Sequence, residues 1–256
     1  MKEQIYTIPL NDAFRSGDEC PFCYIERNLE QHAIDFALGS GASYMEDDIR
    51  AQTDELGFCR SHFEKMYIYG NRLGAGLILS THVKKKNQEI TELMKNHTPG
   101  KSSVLNRLKK TSVSVEKKTA IGQWVQEQES HCYICDYIRD TYARYLDTFF
   151  EMYRKSPEFR ELFANSRGFC LHHFADLVET AETQLSSKEK TAFYEILFPL
   201  MENNLSRVQG DIEWFCDKFD YRNKDADWRN SRDALQRSMQ KMAGGHPADP
   251  PYVQDK

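Results

Sequence analysis

A seven-residue motif, Gly-Phe-Cys-x-x-His-Phe, occurs twice in this chain and constrains its fold more than any other feature. It reads GFCRSHF at residues 57–63 and GFCLHHF at residues 168–174. A Cys-x-x-Cys pair precedes each copy, CPFC at 20–23 and CYIC at 132–135. The second pair lies 112 residues after the first, and the second motif lies 111 residues after the first. Such agreement over two long gaps indicates an internal duplication.

The duplication divides the 256-residue chain into four parts. We predict a first helical metal-binding repeat at residues 1–97 and a second at residues 119–219. Residues 98–118 are predicted to form a basic linker or hairpin, and residues 220–256 a C-terminal helix followed by a disordered tail. This chain length is that of one large helical domain or of two domains of roughly 100 to 130 residues.

Apolar residues recur at spacings of three and four along most of the chain, and this period predicts helices. No stretch shows the strict alternation of a half-buried strand. Hydrophobic residues make up 40% of the chain, which is enough for a packed core. The predicted fold class is therefore all-α, with two homologous helical units that each carry a Cys₃His metal site. Cys216 falls on an apolar helical stripe and is predicted to be a core cysteine.

The repeated cysteines and histidines have the composition of structural zinc sites, which take four Cys and His ligands in short-spaced pairs. Each pair is predicted to sit where a helix begins, and a helix N-terminus favours negative charge and therefore thiolates. We predict two Zn²⁺ ions, with iron–sulfur clusters on the same residues as the alternative. The predicted ligands are Cys20, Cys23, Cys59 and His62 in the first copy, and Cys132, Cys135, Cys170 and His173 in the second. His172 is an alternative to His173.

The ligand pairs can meet in two ways. Closure within a copy needs only a 36-residue helical excursion from Cys23 to Cys59, and we expect this arrangement. In the other arrangement the copies exchange elements, so that Cys20 and Cys23 meet Cys170 and His173.

Other thiol chemistries fit the pattern less well. A c-type haem needs Cys-x-x-Cys-His, and a thioredoxin-like pair needs a βαβ context. A Cys-His thiol enzyme at Cys59/His62 or Cys170/His173 would leave both Cys-x-x-Cys pairs unexplained. We therefore expect a non-enzymatic helical metal-binding protein that presents a surface to a protein partner. An iron–sulfur redox or sensor protein is the alternative.

Charge and hydropathy restrict the partners further. A formal net charge of −5 and a pI of about 5.9 argue against a general nucleic-acid binder. The segment 84–118 is the exception, because it holds ten Lys or Arg residues and three Glu residues. It is predicted to be a solvated hairpin, or else a docking surface for an acidic partner or nucleic acid. No apolar run is long enough to cross a bilayer and no signal peptide is evident, so we expect a cytoplasmic protein without a membrane partner.

Several stretches together resemble a known family. They are MKEQIYTIPLNDAF, SYMEDDIR, GNRLGAGLILSTH, RYLDTFF and DWRNSRDAL, together with the two repeated motifs. The chain is similar in these stretches to an uncharacterised bacterial family, found mainly in anaerobic Firmicutes and catalogued as a domain of unknown function. The resemblance covers most of the chain except residues 95–118 and the tail. It implies a bacterial cytoplasmic protein and brings no activity with it.

Overall fold

The computed structural model describes residues 5–99 and 119–245 of the chain, and these residues are helical without a strand. The predicted all-α class is confirmed. The described helices are α1 (Thr7–Arg15), α2 (Pro21–Leu38), α3 (Asp47–Leu56), α4 (Arg60–Tyr69), α5 (Arg72–Lys95), α6 (Ala120–Ser130), α7 (Tyr133–Lys155), α8 (Pro157–Ala164), α9 (Leu171–Gln184), α10 (Ser187–Asp217) and α11 (Ala234–Ala243). Short 3₁₀ turns cover Ser43–Met45 and Tyr221–Asn223.

Helix boundaries follow from local sequence. The Ser156 side chain accepts from the Phe159 N–H, and Pro157 opens α8, where a missing N–H costs nothing. Ser186 and Glu189 form a capping box at the start of α10. Gly70, with a φ of 97°, ends α4 in the left-handed conformation that glycine adopts without strain.

The described chain folds as two compact units. The first unit contains residues 5–31 and 138–245, and the second contains residues 32–99 and 119–137. The boundaries fall inside α2 and α7. The compact units therefore do not coincide with the repeats at 1–97 and 119–219, since each unit takes part of both copies. The predicted linker 98–118 and the predicted tail lie almost wholly outside the described residues.

The core of the first unit is built from aromatic rings. Phe149 occupies its centre, where its ring lies 5.4 Å from that of Phe163 and 5.5 Å from that of Phe159. Phe163 stacks on Phe193 from α10, with ring centroids 5.5 Å apart. Offset and edge-to-face contacts of this kind add to the stability gained from apolar burial. The GFC motif enters the same core through Phe169, which is fully buried.

The second unit has a smaller aliphatic and aromatic core around α2, α4 and α5. Ile34, Leu38 and Ile78 are fully buried, and Met66 and Tyr69 of α4 are almost so. Within residues 5–99 and 119–245, no helix combines the length and the apolar character that crossing a bilayer requires.

Cys216 does not occupy the predicted core position. It is exposed near the end of α10. The apolar stripe that suggested burial is used in part by Phe215, whose ring lies 6.0 Å from Trp228, while Phe219 stays largely exposed.

Candidate metal centres

Four of the predicted ligands meet in the first unit. We call Cys20, Cys23, Cys170 and His173 the buried cluster, because all four are buried and their ligand atoms lie within 4.8 Å of one another. The His173 Nδ1 atom lies 3.3 Å from Cys20 Sγ, 3.5 Å from Cys23 Sγ and 3.2 Å from Cys170 Sγ. The Cys23 and Cys170 sulfurs are 3.7 Å apart. Three sulfurs and one nitrogen thus face a common centre.

Two helix N-termini converge on the buried cluster. Cys20 immediately precedes α2, and Cys170 is the N-cap of α9, where its sulfur accepts the His173 N–H at 3.5 Å. Helix N-termini carry partial positive charge, which favours thiolates at these positions. The rings of Phe22 and Tyr142 lie 5.8 Å and 5.2 Å from the imidazole of His173. They shield the cluster from water.

The other four predicted ligands meet in the second unit. We call Cys59, His62, Cys132 and Cys135 the exposed cluster, because Cys135 is exposed and Cys59 half-buried. The His62 Nδ1 atom lies 3.2 Å from both Cys59 Sγ and Cys132 Sγ, and 3.4 Å from Cys135 Sγ. The Cys59 and Cys135 sulfurs are 3.9 Å apart. The contact pattern is that of the buried cluster, with the same imidazole nitrogen at its centre.

The exposed cluster also lies between two helix N-termini. Cys59 is the N-cap of α4, and Cys132 immediately precedes α7. The Tyr133 N–H donates to the Gly57 carbonyl at 2.9 Å, so the backbone itself joins the two halves of the cluster. A cavity of about 440 Å³ reaches Cys59 between α5 and α6, with His82 and Trp124 in its wall. Through this cavity the exposed cluster is open to solvent, whereas all four residues of the buried cluster are buried.

The glycine that begins each motif has a conformational reason. Gly57 and Gly168 have φ values of +61° and +73°, where side chains other than glycine are strained. A Cβ added to Gly57 would stand 2.8 Å from His82 Cε1, and one added to Gly168 would stand 3.3 Å from Met201 Sδ. Both glycines turn the chain so that the following cysteine occupies the N-cap position of a helix.

The expected closure within a copy is wrong, because each cluster takes its Cys-x-x-Cys from one copy and its Cys-x-x-His from the other. The physical reason lies in the helix that each Cys-x-x-Cys opens. The 18 residues of α2 carry the chain about 25 Å away from Cys20 at 1.5 Å per residue. The Cys59–His62 pair that follows therefore belongs to the second unit, and Cys170–His173 completes the cluster around Cys20.

Charge within the buried cluster is strongly coupled. Hydrogen bonds from Cys20 and Cys23 lower the pKa of Cys170. The hydrogen bond between Cys23 and Cys170 in turn raises the pKa of Cys23. Burial alone would lower the pKa of His173, but its contacts with Cys170, Cys20 and Glu26 raise it to about 12. Thiolates this close repel one another, so gathering three of them needs a compensating cation.

The exposed cluster shows a milder version of this coupling. Burial acts to raise the pKa of Cys132, but a hydrogen bond from His62 and backbone N–H groups of Cys135 and Cys59 bring it down to about 6. Burial and the neighbouring Cys132 sulfur raise the pKa of Cys135. Here too the sulfurs cannot all be ionised unless positive charge is added.

Two residues next to the buried cluster, Glu26 and Gly244, were not predicted from the sequence. Glu26, one turn after Cys23, places its Oε2 atom 3.2 Å from His173 Nε2, an approach that is misaligned for a hydrogen bond but close enough for a strong charge interaction. Gly244 lies so close that an added Cβ would be 3.6 Å from Cys170 Sγ. The sequence signal that could have found Glu26 is its position one helical turn after Cys23. No comparable signal pointed to Gly244.

His172, the alternative ligand, is exposed and lies 3.6 Å from Asp176 Oδ2, outside the sulfur cluster.

Comparison with known proteins identifies relatives without a known role. The chain is 24% identical over 212 residues to an uncharacterized 23.9 kDa protein in the xynA 3′ region of Caldicellulosiruptor sp. (strain Rt8B.4), which covers 80% of this chain and 85% of that protein. No solved structure gives a significant match. A family described as a family of unknown function (DUF6062) matches residues 1–249. The resemblance noted in the sequence is thereby confirmed, and this chain belongs to that family of unknown function.

Proposed function

We propose that this protein binds two zinc ions, one in the buried cluster and one in the exposed cluster. Bond lengths of about 2.3 Å for Zn–S and about 2.0 Å for Zn–N in a regular tetrahedron place two sulfurs about 3.8 Å apart and a sulfur and a nitrogen about 3.5 Å apart. One sulfur–sulfur distance in each cluster matches this edge length, 3.7 Å for Cys23–Cys170 and 3.9 Å for Cys59–Cys135. The sulfur–nitrogen distances, between 3.2 Å and 3.5 Å, lie at or just below the ideal sulfur–nitrogen edge. This agreement is the observation that carries the proposal.

The same distances weigh against iron–sulfur clusters. A cluster of two or four irons distributes its protein ligands over different iron ions, so ligand atoms on different irons lie farther apart than the edge of a single-ion tetrahedron. In both clusters all four ligand atoms lie within 4.8 Å of one another. A single ion therefore fits each site better, and zinc is the single ion that tetrahedral Cys₃His sites usually bind.

Both sites are proposed to be structural. A catalytic zinc keeps an open position for water or substrate, whereas four protein ligands close the coordination sphere. Three thiolates also reduce the Lewis acidity that water activation needs. Zinc with three thiolates carries a net charge of −1, and the two helix N-termini at each cluster offset it. None of the seven cysteines forms a disulfide in the structure, which suits a reducing cytoplasm.

We further propose that the protein acts by binding a protein partner. Large apolar side chains are exposed where α4 meets α5, at Tyr67, Ile68 and Leu73. The guanidinium of Arg72 lies 5.6 Å from the Tyr67 ring, which helps to hold that ring at the surface. Exposed aromatic and arginine side chains of this kind are enriched in interfaces.

Metal analysis of anaerobically purified protein tests the zinc proposal. We expect two equivalents of zinc per chain in a colourless sample, and a cobalt-substituted sample with the intense visible bands of tetrahedral thiolate coordination. Iron with acid-labile sulfide and a brown colour would replace zinc with the iron–sulfur alternative. A fully folded, metal-free protein with all thiols reactive would refute metal binding at these residues.

The partner surface is tested separately from the metal. A Tyr67→Ser/Leu73→Ser variant should keep two zinc ions and its helix content, yet lose a protein that wild type retains in a cross-linked pull-down. A Phe219→Ser variant, altered at an exposed aromatic residue of the first unit, is the control. Equal recovery of every cross-linked protein by all three forms would remove this surface from the proposal.

A further inference from the structure

Besides the buried cluster, the first unit contains a cationic cavity of about 430 Å³ next to the N-terminus of α11. Five arginines line it: Arg167, Arg207, Arg229, Arg232 and Arg237. The chain as a whole is acidic, with a formal net charge of −5. Guanidinium groups gathered around one cavity in such a chain repel one another unless carboxylates or a bound anion compensate them.

Two of the five arginines are compensated by the protein. Arg237 donates from Nη1 to Asp211 Oδ2 at 2.8 Å and from Nε to Asp233 Oδ1 at 2.9 Å. Arg207 donates from Nη2 to Glu19 Oε2 at 2.5 Å. Asp211, Asp233 and Glu19 are thus already paired with Arg237 and Arg207.

The other three arginines are not compensated in this way. Within residues 5–99 and 119–245, neither Arg229 nor Arg232 has a carboxylate partner for its side chain, and each guanidinium lies over a tryptophan ring instead. Arg167 comes no closer than 3.6 Å to Glu19, the carboxylate that Arg207 already holds. The buried Lys241 lies 3.3 Å from the same carboxylate. The site thus keeps an excess of about three positive charges.

Several contacts position Arg229 at the cavity. Its guanidinium lies 4.1 Å above the Trp214 ring, at the distance of a close cation–π contact. The Trp214 indole N–H donates to the Asp227 carbonyl, and the Asp227 carboxylate accepts the Arg229 N–H at 3.0 Å. The Arg229 φ of 52° is left-handed, a strained conformation for this residue. Strain held by surrounding contacts is typical of side chains positioned for a ligand.

We propose that this cavity binds a small molecule bearing a phosphate group, with Arg167, Arg229 and Arg232 as the groups that bind it. The planar guanidinium presents paired N–H donors that match phosphate oxygens. A phosphate monoester carries nearly two negative charges, which suits the excess positive charge better than one carboxylate does. The adjacent N-terminus of α11 adds positive potential. The cavity is also larger than a free phosphate ion, so it has room for an attached organic group.

This inference goes beyond the zinc proposal and rests on different residues. Calorimetric titration of the full, zinc-loaded chain tests it, in a buffer free of phosphate and sulfate. The probes are inorganic phosphate, pyrophosphate and ribose 5-phosphate, with sodium chloride at matched ionic strength as the blank. We expect saturable binding of a phosphate probe at one site per chain. Tighter binding of ribose 5-phosphate than of inorganic phosphate points to a phosphorylated metabolite, and the reverse points to the free ion.

The matched variants are Arg229→Gln/Arg232→Gln and Arg160→Gln. Arg160 is also an exposed arginine near an aromatic ring of the first unit, 5.9 Å from that of Tyr153, but it lies outside the cavity. We expect the double variant to weaken binding at least about tenfold, since charge-assisted hydrogen bonds are lost, and Arg160→Gln to leave binding unchanged. The proposal is overturned if no probe binds saturably to wild type, or if the double variant binds as wild type does. Zinc content is measured in every sample and reports independently on folding.

Discussion

The exchange of ligand pairs between the two copies makes a prediction that metal counting can decide. We compare two double variants, each of which loses two cysteines. In the first, Cys20→Ser/Cys170→Ser, both changes fall in the buried cluster although they lie in different copies. In the second, Cys20→Ser/Cys59→Ser, the changes lie in one copy but fall in different clusters.

The magnitudes follow from the pairing. The variant changed at Cys20 and Cys170 should keep one equivalent of zinc, in the exposed cluster. The variant changed at Cys20 and Cys59 should keep none. Closure within a copy gives the opposite result: the first variant would lose both ions and the second only one. Each single variant loses one equivalent under either pairing, so only the double variants discriminate.

The loss of metal should also be visible in the fold. The apparent binding free energy of a structural zinc is on the order of 10–16 kcal/mol. The total stability of a domain is about 5–15 kcal/mol. A Cys59→Ser/Cys132→Ser variant, changed only in the exposed cluster, should therefore lose α3 to α6, about a third of the helical residues that the structure describes.

The assay is zinc per chain by mass spectrometry after dialysis against a moderate chelator, with circular dichroism on the same samples. The chelator removes zinc held weakly through serine or through an incomplete ligand set. Crossed pairing is refuted if Cys20→Ser/Cys170→Ser loses both ions while Cys20→Ser/Cys59→Ser keeps one. Retention of two ions by either double variant would refute the ligand assignment itself.

Three further predictions test the setting of the clusters. Gly57→Ala and Gly168→Ala should each destabilise the protein by about 1–3 kcal/mol in thermal melts, because an alanine must adopt positive φ against a close neighbour. Gly76→Ala is the control: this residue lies in α5 with nothing within 4 Å of its Cβ, so the change should be neutral or stabilising. Maleimide should rapidly label only Cys216 in the zinc-loaded protein, and should label Cys59 and Cys135 only after zinc is chelated. Peptide mapping that finds the buried cluster labelled first would contradict this order. Glu26→Gln should weaken zinc binding at the buried cluster by about 10–100-fold in chelator competition, because the carboxylate no longer supports His173, and should leave the exposed cluster unchanged.

Sequence spacing predicted much of this molecule, because its strongest signals are local. Helical period depends on residues within one or two turns, and the structure starts α8 and α10 at equally local signals, Ser156–Pro157 and Ser186. The grouping of Cys with His at three-residue spacing is local as well, so the structure gathers all eight predicted residues into two sets of four.

The errors arise where tertiary packing decides. The two copies have the same spacing of Cys-x-x-Cys and Cys-x-x-His. This spacing does not indicate whether a Cys-x-x-Cys pair meets the Cys-x-x-His of its own copy or of the other copy. The exposed position of Cys216 depends on where Trp228 packs against Phe215, which lies beyond the reach of a helical stripe. Gly244 approaches Cys170 only because α11 packs against α9, and Arg229 joins the cationic cavity only because it stacks on Trp214 of α10.

Crossed pairing also gives a physical reason for the presence of a full ligand set in both copies. A copy on its own has two half-sites that face different clusters, so it can complete neither tetrahedron without the other copy. Each proposed zinc would join the start of a long helix from one copy, α2 or α7, to the start of a shorter helix from the other, α9 or α4. Because all four helix starts direct partial positive charge towards a cluster, the same contacts that close the fold also lower the cost of gathering three thiolates. At each cluster, metal binding and the association of the two half-sites are then coupled, so removing that metal should separate the half-sites of that cluster.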